Sequence, residues 1–354
     1  MYVVISNLFK LSQITLHFCH NCQTQNHLIK YPFESLNLSQ QKIILLKIFS
    51  AIDSFHSAKK TIVTIGTFDG VHVGHRKIVE KLIENAKNRN VESAILTFFP
   101  HPRMVLQDQN EIQLLNTIEE RTSLLNKTGL DNLIIHPFDK VFSRITAEEF
   151  VKNILVDRLN VEKIIIGYDH RFGRNRTANI DDLIEFGEKY GFEVEQISVQ
   201  EIQEASVSST KIRTALAEGN IELANRYLGY RYFLTGTVQR GKQLGRTIGF
   251  PTANLKIEEN YKLIPKQGVY IVESVLSGKK VYGMMNIGTN PTFDARSLSI
   301  EIHFLDFNAD LYDQKIQISI HKYLRLEQKF DSIYQLKEQL EKDRNQTMAY
   351  LKTI

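Results

Sequence analysis

Apolar and polar positions follow two different rhythms along the chain, and the change comes near residue 230. In the first half, short apolar runs typical of buried strands are separated by segments with helical spacing, in which residues such as Ile78 and Leu82 share one face. Strands that alternate with helices predict right-handed βαβ units and a parallel sheet covered on both faces. The predicted strands are TIVTIG, VESAILTF, NLIIHPF, EKIIIG and FEVEQISV.

Beyond residue 230, short strands follow one another with Gly, Pro, Asn and Asp turns between them and no helical segment. This pattern predicts an antiparallel sheet or small β-barrel. One helix ends the chain, and we predict Ile333, Leu336, Leu340 and Met348 on its inner side. The barrel strands are expected in FLTGTV, GVYIVESVL, KVYGMMNIG, SIEIHFLDF and KIQISIHKYL.

The length of the chain agrees with two globular domains, because 354 residues exceed what one hydrophobic core usually holds. The net charge is only +4, and no block of consecutive Lys or Arg stands out, so we expect no nucleic-acid partner. Apolar stretches are broken by lysines well short of the roughly 20 residues of a bilayer span, so we expect no membrane association. Two cysteines cannot form a disulfide framework, which favours a reducing, cytoplasmic location.

Residues 1–45 form an atypical N-terminal extension in this interpretation, because charged side chains are scarce up to residue 40. Cys19 and Cys22 are spaced as a C-x-x-C pair with histidines nearby, which raises a zinc site as one interpretation. A structural zinc site needs four arranged ligands, and there is no second cysteine pair. We therefore favour two free thiols.

The stretch TIGTFDGVHVGH (64–75) lies where the first predicted strand gives way to the first helix, and ligands of α/β sheets bind at such strand ends. Glycines let the backbone approach a phosphate chain, and the helix N-terminus adds unpaired N–H donors. The imidazoles of His72 and His75 are further donors. The spacing differs from the dinucleotide motif G-x-G-x-x-G, so a dehydrogenase is disfavoured. The glycines are Gly66, Gly70 and Gly74.

Three further segments are predicted at the same edge of the sheet as HVGH, since each follows a strand. In the last of them, Ser208, Ser209 and Thr210 suit a helix cap, and hydroxyls with Arg213 at a helix start can also hold phosphates. Both interpretations remain open for these hydroxyls. The segments are TFFPHPRMVL (97–106), IIIGYDHRFGRNR (164–176) and SVSSTKIRTAL (206–216).

HVGH resembles the H-x-G-H motif of nucleotidylyltransferases, and all four segments resemble, in type and order, bacterial bifunctional riboflavin kinase/FAD synthetases. The resemblance implies a Rossmann-like nucleotidylyltransferase domain over residues 46–230. In it, His72, His75 and Arg213 would be catalytic, the histidines holding the triphosphate of ATP while an acceptor phosphate attacks the α-phosphorus. Such a reaction needs positioning and charge stabilisation above all. Nucleotide or phosphate binding is implied for Gly66, Phe68, Asp69, Gly70, Gly74, Asp169, Ser208, Ser209 and Thr210.

A second candidate site begins with GTVQRGKQLGRTIGFPTANL (236–255), whose glycines and basic residues suit the wrapping of anionic oxygens. If TAN is extended, Thr252 and Asn254 offer a hydroxyl and an amide oxygen on one face as hard ligands for Mg²⁺. GRTIGFPTANL resembles the riboflavin kinase motif, which implies a kinase domain over residues 231–354. By this resemblance Glu301 is the base. The implied phosphate-binding residues are Gly241, Gly245, Arg246 and Gly249.

The resemblance implies two reactions: riboflavin and ATP give FMN, and FMN with a second ATP gives FAD and pyrophosphate, with Mg²⁺ in both steps. Riboflavin, FMN and ATP are the expected partners, and no oligomeric state is predicted. A different adenylyltransferase would explain HVGH but not PTAN and Glu301. An RNA-binding protein predicts base-stacking aromatic clusters and basic runs, which the sequence lacks. Glu301 could alternatively be a surface carboxylate of an edge strand.

Overall fold

The structure is a computed structural model that describes residues 45–106, 112–167, 171–197, 207–241, 244–289 and 298–354. Its N-terminal half is built on a six-stranded sheet in the order β1-β4-β3-β2-β5-β6, and every neighbouring pair is parallel. The strands of this sheet are β1 Lys47–Phe49, β2 Thr61–Ile65, β3 Glu92–Phe98, β4 Asn132–His136, β5 Val161–Gly167 and β6 Glu193–Ile197.

Helices connect these strands and cover both faces of the sheet, which confirms the predicted α/β class. The TIVTI strand β2 is buried at every position, as a central parallel strand requires. The chain order reverses between β2 and β5, so ligands are expected beyond the carboxyl ends of these two strands. The helices of this half are α1 Val73–Arg89, α2 Pro102–Leu106, α3 Ile118–Asn126, α4 Ala147–Glu149 with a π-helical continuation Phe150–Val156, α5 Ile180–Tyr190, α6 Ser209–Glu218 and α7 Ile221–Leu228.

The C-terminal half is a closed antiparallel barrel in the order β10-β11-β8-β7-β12-β9, followed by one long helix. This confirms the predicted barrel with a terminal helix. A short helix, α8 Leu244–Thr247, lies between the first two barrel strands, and the terminal helix is α9 Ile333–Leu351. The barrel strands are β7 Phe233–Gln239, β8 Ala253–Lys256, β9 Gly268–Leu276, β10 Lys279–Thr289, β11 Leu298–Phe304 and β12 Lys315–Arg325.

The inner side of α9 differs from the prediction. Ile333 and Met348 are 69% and 41% exposed, whereas Asp343 and Thr347 are fully buried. Asp343 accepts hydrogen bonds from Nε and Nη2 of Arg325 at 2.9 and 2.7 Å, so an ion pair anchors the helix to the end of β12. Leu336 and Leu340 are half-buried, as expected for the inner side. The prediction from apolar spacing was wrong at Ile333 because the inner side of α9 is centred on the charged residue Asp343, which is fully buried.

One hydrophobic cluster spans the two halves. Ile212 and Leu216 of α6 and Leu228 of α7 pack in the same buried cluster as the barrel residues Tyr270 and Ile318. Residues 44–354 accordingly form one compact unit. The barrel is therefore packed directly against the helices that follow the parallel sheet.

Some predictions fall on residues that the structure does not describe. The Cys19-x-x-Cys22 pair and Asp169 lie outside the described residues. Within the described ranges, no group of three or more His, Cys, Asp and Glu side chains is placed to hold a metal ion. No helix in that part of the chain is both long and apolar enough to cross a bilayer.

Candidate active sites

The turn between β2 and α1 forms the centre of the first candidate site. Three of its residues have left-handed backbone angles, with φ of 49° at Phe68, 90° at Gly70 and 36° at Val71. A Cβ atom at Gly70 would lie 2.7 Å from Cδ1 of Leu115, so a larger residue would have to displace that side chain as well as adopt a left-handed φ. Gly66 lies beneath the ring of Phe68, and Gly74 is buried in the first turn of α1. The tight turn therefore explains the glycines in local structural terms.

His72 and His75 are held together at the start of α1. His72 caps the helix, and its Nδ1 accepts a hydrogen bond from the backbone N–H of His75 at 3.3 Å. The two rings stack with centroids 3.6 Å apart. Nδ1 of His75 is buried and has no hydrogen-bond partner within the described residues.

The surroundings of both imidazoles favour the neutral form at pH 7. Burial lowers the pKa of His72 to about 4, although the Asp69 carboxylate opposes the shift. Burial also lowers the pKa of His75, and the nearby His72 and Arg121 act in the same direction. A neutral imidazole still donates one N–H to a phosphate oxygen, and a bound phosphate chain favours its protonation.

Asp69 is buried at the centre of the site and does not face solvent. Its carboxylate accepts hydrogen bonds from the backbone N–H groups of Leu115 and Asn116, at 3.1 and 3.2 Å. Nη2 of Arg213 lies 2.5 Å from one carboxylate oxygen, and Nη2 of Arg121 lies 3.8 Å from the other. The carboxylate therefore joins the turn after β2 to two other segments of the chain.

The SSTKIR segment reaches the same place from α6. Ser208 caps the helix by accepting from the N–H of Lys211, and Ser209 Oγ donates to the backbone carbonyl of Asp69 at 2.9 Å. Arg213 donates through Nε to the carbonyl of Gln113 at 2.8 Å. Thr210 is exposed at the helix start. The structure thus brings Ser209 and Arg213 of the SSTKIR segment into contact with Asp69, which was predicted from the separate TIGTFDGVHVGH motif.

Two further cationic or imidazole side chains, His101 and Arg121, lie in the site without having been assigned a role from sequence. His101 is buried after β3, and burial lowers its pKa to about 4 despite the Asp69 carboxylate. Arg121 is fully buried on α3, and none of its guanidinium nitrogens has a hydrogen-bond partner in the described part of the chain. The signal for His101 was its place in the PHP segment after a strand. The sequence around Arg121 does not indicate that this arginine is buried, because a charged residue on a helix is ordinarily expected at the surface.

The second candidate site lies where β8 and β11 pair in the barrel. Glu301 is paired in register with Asn254, and Thr252 Oγ1 donates to its carboxylate at 3.2 Å. A Cβ at Gly241 would lie 2.2 Å from Nδ2 of Asn254, so the Asn254 side chain lies against the backbone of Gly241. The structure therefore brings the predicted base and both predicted metal ligands together.

The loop before β8 is tightly folded around its glycines. Phe250 N–H donates to the carbonyl of Gly245 at 2.8 Å, and Gly249 has a φ of 86°. A Cβ at Gly245 would lie 2.1 Å from the carbonyl oxygen of Phe250. Arg246 is exposed on this loop. The glycines allow a close fold that leaves the arginine accessible to an anion.

A groove of about 320 Å³ opens beside this loop, between the barrel and α9. Its walls include Phe250, Pro251 and His303 from the barrel and Glu341 and Arg344 from α9. The rings of Phe250 and His303 lie 5.0 Å apart.

The two sites offer different chemistry. The first presents imidazole and guanidinium donors around one buried carboxylate, which suits binding of a charged phosphate chain. The second presents a carboxylate with hydroxyl and amide oxygens beside a Gly-rich loop, which suits a base and hard-cation ligands.

Comparisons with known proteins divide the chain in the same way. The family model described as FAD synthetase matches residues 54–211, and the model described as riboflavin kinase matches residues 228–351. These ranges include the first and the second candidate site, respectively.

Individual relatives match along most of the chain. A bifunctional riboflavin kinase/FMN adenylyltransferase of Listeria monocytogenes is 38% identical over 291 residues, covering 82% of this chain and 92% of the relative. Its counterpart in Escherichia coli is 38% identical over 285 residues, covering 80% and 90%. A crystal structure described as a macrolide-efflux protein from Streptococcus pneumoniae has a TM-score of 0.77 and 28% identity, covering 86% of this chain and 99% of that one. The chain belongs to the bifunctional riboflavin kinase/FMN adenylyltransferase family.

Proposed function

We propose that this enzyme phosphorylates riboflavin to FMN in its barrel half, residues 231–354, and adenylylates FMN to FAD in its α/β half, residues 46–230. ATP is the co-substrate of both reactions. The observation that carries the proposal is the presence in one chain of two separate polar clusters, one around Asp69 and one around Glu301. Each contains the residue types that its reaction needs.

In the first reaction, the terminal ribityl hydroxyl of riboflavin attacks the γ-phosphorus of ATP. A bond forms from the hydroxyl oxygen to phosphorus, the bond to the bridging oxygen of ADP breaks, and the hydroxyl proton passes to the Glu301 carboxylate. The contact between Thr252 and Glu301 orients that carboxylate. The backbone around Gly241, Gly245 and Gly249, with Arg246, binds the phosphate oxygens in this proposal.

We assign the Mg²⁺ site to Thr252 and Asn254. A hydroxyl, an amide oxygen and the neighbouring Glu301 carboxylate are hard oxygen donors of the kind Mg²⁺ prefers, so the residues present fit the ion. When bound, Mg²⁺ neutralises charge on the phosphates of ATP. The Gly241 backbone limits where the Asn254 side chain can turn and so preserves its orientation.

In the second reaction, an FMN phosphate oxygen attacks the α-phosphorus of ATP, and the bond to the bridging oxygen of pyrophosphate breaks. His72, His75 and Arg213 bind the triphosphate and stabilise the charge on the departing group. The unpartnered Nδ1 of His75 supports this role. The turn residues Gly66, Phe68, Gly70 and Gly74 shape the cradle, and the hydroxyls of Ser208, Ser209 and Thr210 extend it at the start of α6.

Asp69 contributes in this proposal through its partners, because its buried carboxylate already binds two backbone amides and Arg213. Asp169 follows β5 in sequence, at the strand where the sheet order reverses, and we propose that it contacts the adenosine or the flavin phosphate. We also propose a cytoplasmic location, which the low cysteine content and the need for ATP support.

The test is to incubate the purified protein with riboflavin, ATP and Mg²⁺ and to follow FMN and FAD separately by chromatography. FMN that appears before FAD is the expected result. A parallel reaction started from FMN isolates the second step. FMN formation without FAD would reject the assignment of the first site, and FAD made from FMN without phosphorylation of riboflavin would reject that of the second.

A further inference from the structure

One segment of the α/β half, residues 112–120, lies between the first active site and the barrel, and we refer to it as the connecting segment. On the side of the active site, its Leu115 and Asn116 amides donate to Asp69. The carbonyl of Gln113 accepts from Nε of Arg213 at 2.8 Å. The connecting segment therefore holds both members of the Asp69–Arg213 pair.

On its other side, the connecting segment is bonded to the barrel half. The N–H of Leu114 donates to the carbonyl of Tyr261 at 2.7 Å, and the N–H of Leu263 donates back to the carbonyl of Leu114 at 2.8 Å. Between these bonds, Nζ of Lys262 donates to the carbonyl of Leu115 at 2.7 Å. Three consecutive residues of the barrel half thus hold two consecutive residues of the connecting segment.

Lys262 also binds the carboxylate at the start of α3. Its Nζ lies 2.6 Å from Oε2 of Glu120, and both side chains are almost completely buried. The same Glu120 oxygen accepts from the N–H of Thr117, whose hydroxyl accepts from the N–H of Glu120. The ammonium of Lys262 therefore binds the carboxylate of the capping box that begins α3, the helix that carries Arg121.

The ion pair between Lys262 and Glu120 lies in a buried environment, where a charged ammonium is unfavourable without a partner. Burial lowers the pKa of Lys262, and the neighbouring Glu120 carboxylate opposes that shift. Its Nζ also lies 4.5 Å from the centre of the Tyr232 ring. A buried charge that loses its partner is strongly unfavourable, so the two side chains fix each other's positions.

We propose that Lys262, a residue of the kinase half, is a positioning residue for FMN adenylylation. It holds the connecting segment so that the Leu115 amide faces Asp69, and Asp69 in turn orients Arg213 towards the triphosphate. This inference rests on the proposed function of the first site. The barrel half therefore serves both reactions: it carries the kinase site, and it completes the geometry of the adenylyl-transfer site.

The test compares Lys262→Met with Lys315→Met in the full chain. Lys315 is a matched control, because it also joins the barrel to α3, pairing with Glu119 at 2.5 Å, but both members of this pair are exposed. Three quantities are measured for each variant: kcat and KM of FMN adenylylation, kcat and KM of riboflavin phosphorylation, and hydrogen exchange of the peptide 112–121 by mass spectrometry.

For Lys262→Met we expect kcat of FMN adenylylation to fall by about tenfold to a hundredfold, because small displacements of positioned groups have effects of this size. Riboflavin phosphorylation stays within about twofold of the wild type, and exchange increases in residues 112–121. Lys315→Met leaves all three quantities within about twofold, as expected for an exposed pair. If Lys262→Met does not fold, the variant Lys262→Met with Glu120→Gln removes both buried charges, retains the capping box and is expected to show the same selective loss.

Two results would overturn the proposal. One is a folded Lys262→Met protein with wild-type adenylylation and unchanged exchange in residues 112–121. The other is an equal fall in both activities, which would mean that Lys262 only stabilises the fold. Wild-type protein that forms no FAD from FMN would instead reject the proposed function, while the exchange comparison would still report whether Lys262 holds the connecting segment.

Discussion

Arg213 and Asp69 are 144 residues apart in the chain, yet Nη2 of Arg213 lies 2.5 Å from the Asp69 carboxylate. The pair joins the start of α6 to the turn after β2. Asp69 is buried, and the guanidinium of Arg213 remains partly accessible, with its side chain 18% exposed. The carboxylate therefore fixes the direction of a cation that can still reach a phosphate.

The two activities should be separable by substitution. We expect His72→Asn to lower FAD formation from FMN by at least about a hundredfold, because it removes an imidazole from the proposed triphosphate site. Asparagine is chosen because it is also a good helix cap, so α1 keeps its N-terminus. Riboflavin phosphorylation, measured in the same preparation, should be unchanged.

Glu301→Gln provides the reciprocal case. The amide retains the size of the side chain but cannot accept the ribityl proton, so FMN formation should fall by about a hundredfold or more. FAD formation from supplied FMN should remain at the wild-type rate. A folded variant of either kind that lost both activities would contradict separate sites.

Protonation of buried histidines should make the protein less stable in mild acid. Burial lowers the pKa of His101 to about 4 in the folded protein, from 6.5 in the unfolded chain. Below pH 6.5 the unfolded chain therefore binds a proton that the folded protein does not, and the free energy of unfolding falls as the pH drops towards 4. His72 has the same shift and the same sign.

Denaturant unfolding at a series of pH values checks this prediction. In His101→Asn, the slope of unfolding free energy against pH near pH 5 should be smaller by up to about 1.4 kcal/mol per pH unit, the equivalent of one proton. Equal slopes in the wild type and the variant would show that His101 does not remain neutral in the folded protein.

Gly70→Ala should reduce stability through a steric clash as well as backbone strain. The new Cβ would lie 2.7 Å from Leu115 Cδ1, and φ is 90°. Gly129→Ala is the matched control, because Gly129 has a φ of 84° and no atom within 4 Å of the added Cβ. We expect a loss of about 1 kcal/mol for Gly129→Ala and about 1–3 kcal/mol more for Gly70→Ala. Equal losses of unfolding free energy in the two variants, measured by thermal unfolding, would mean that Leu115 moves aside without destabilising the protein.

The terminal helix should depend on its buried carboxylate. Asp343→Ala leaves the Arg325 guanidinium without its partner, and the expected loss is about 3 kcal/mol. Glu338→Ala breaks an exposed pair with Lys342 on the same helix and should cost less than about 0.5 kcal/mol. Thermal unfolding of both variants measures the difference, and a loss under about 1 kcal/mol for Asp343→Ala would contradict the anchoring role.

Two strands were absent from the sequence prediction, and the reason is the same for both. β1 contains three residues, Lys47–Phe49, and exists because it pairs with residues 132–134 of β4. β8, Ala253–Lys256, lies in the PTAN motif and pairs with β7 and β11. Short strands have little local pattern, so their formation depends on partners far along the chain.

The sequence by itself determined the order of the longer strands and helices, the change from parallel sheet to barrel, and the motifs at the strand ends. These features are local, because apolar periodicity and turn residues act over a few positions. The tertiary structure decided where charges are buried: Arg121 beneath Asp69, Lys262 against Glu120, and Asp343 against Arg325. A charged side chain is buried only where a partner compensates it, and each of these partners comes from another element of the fold.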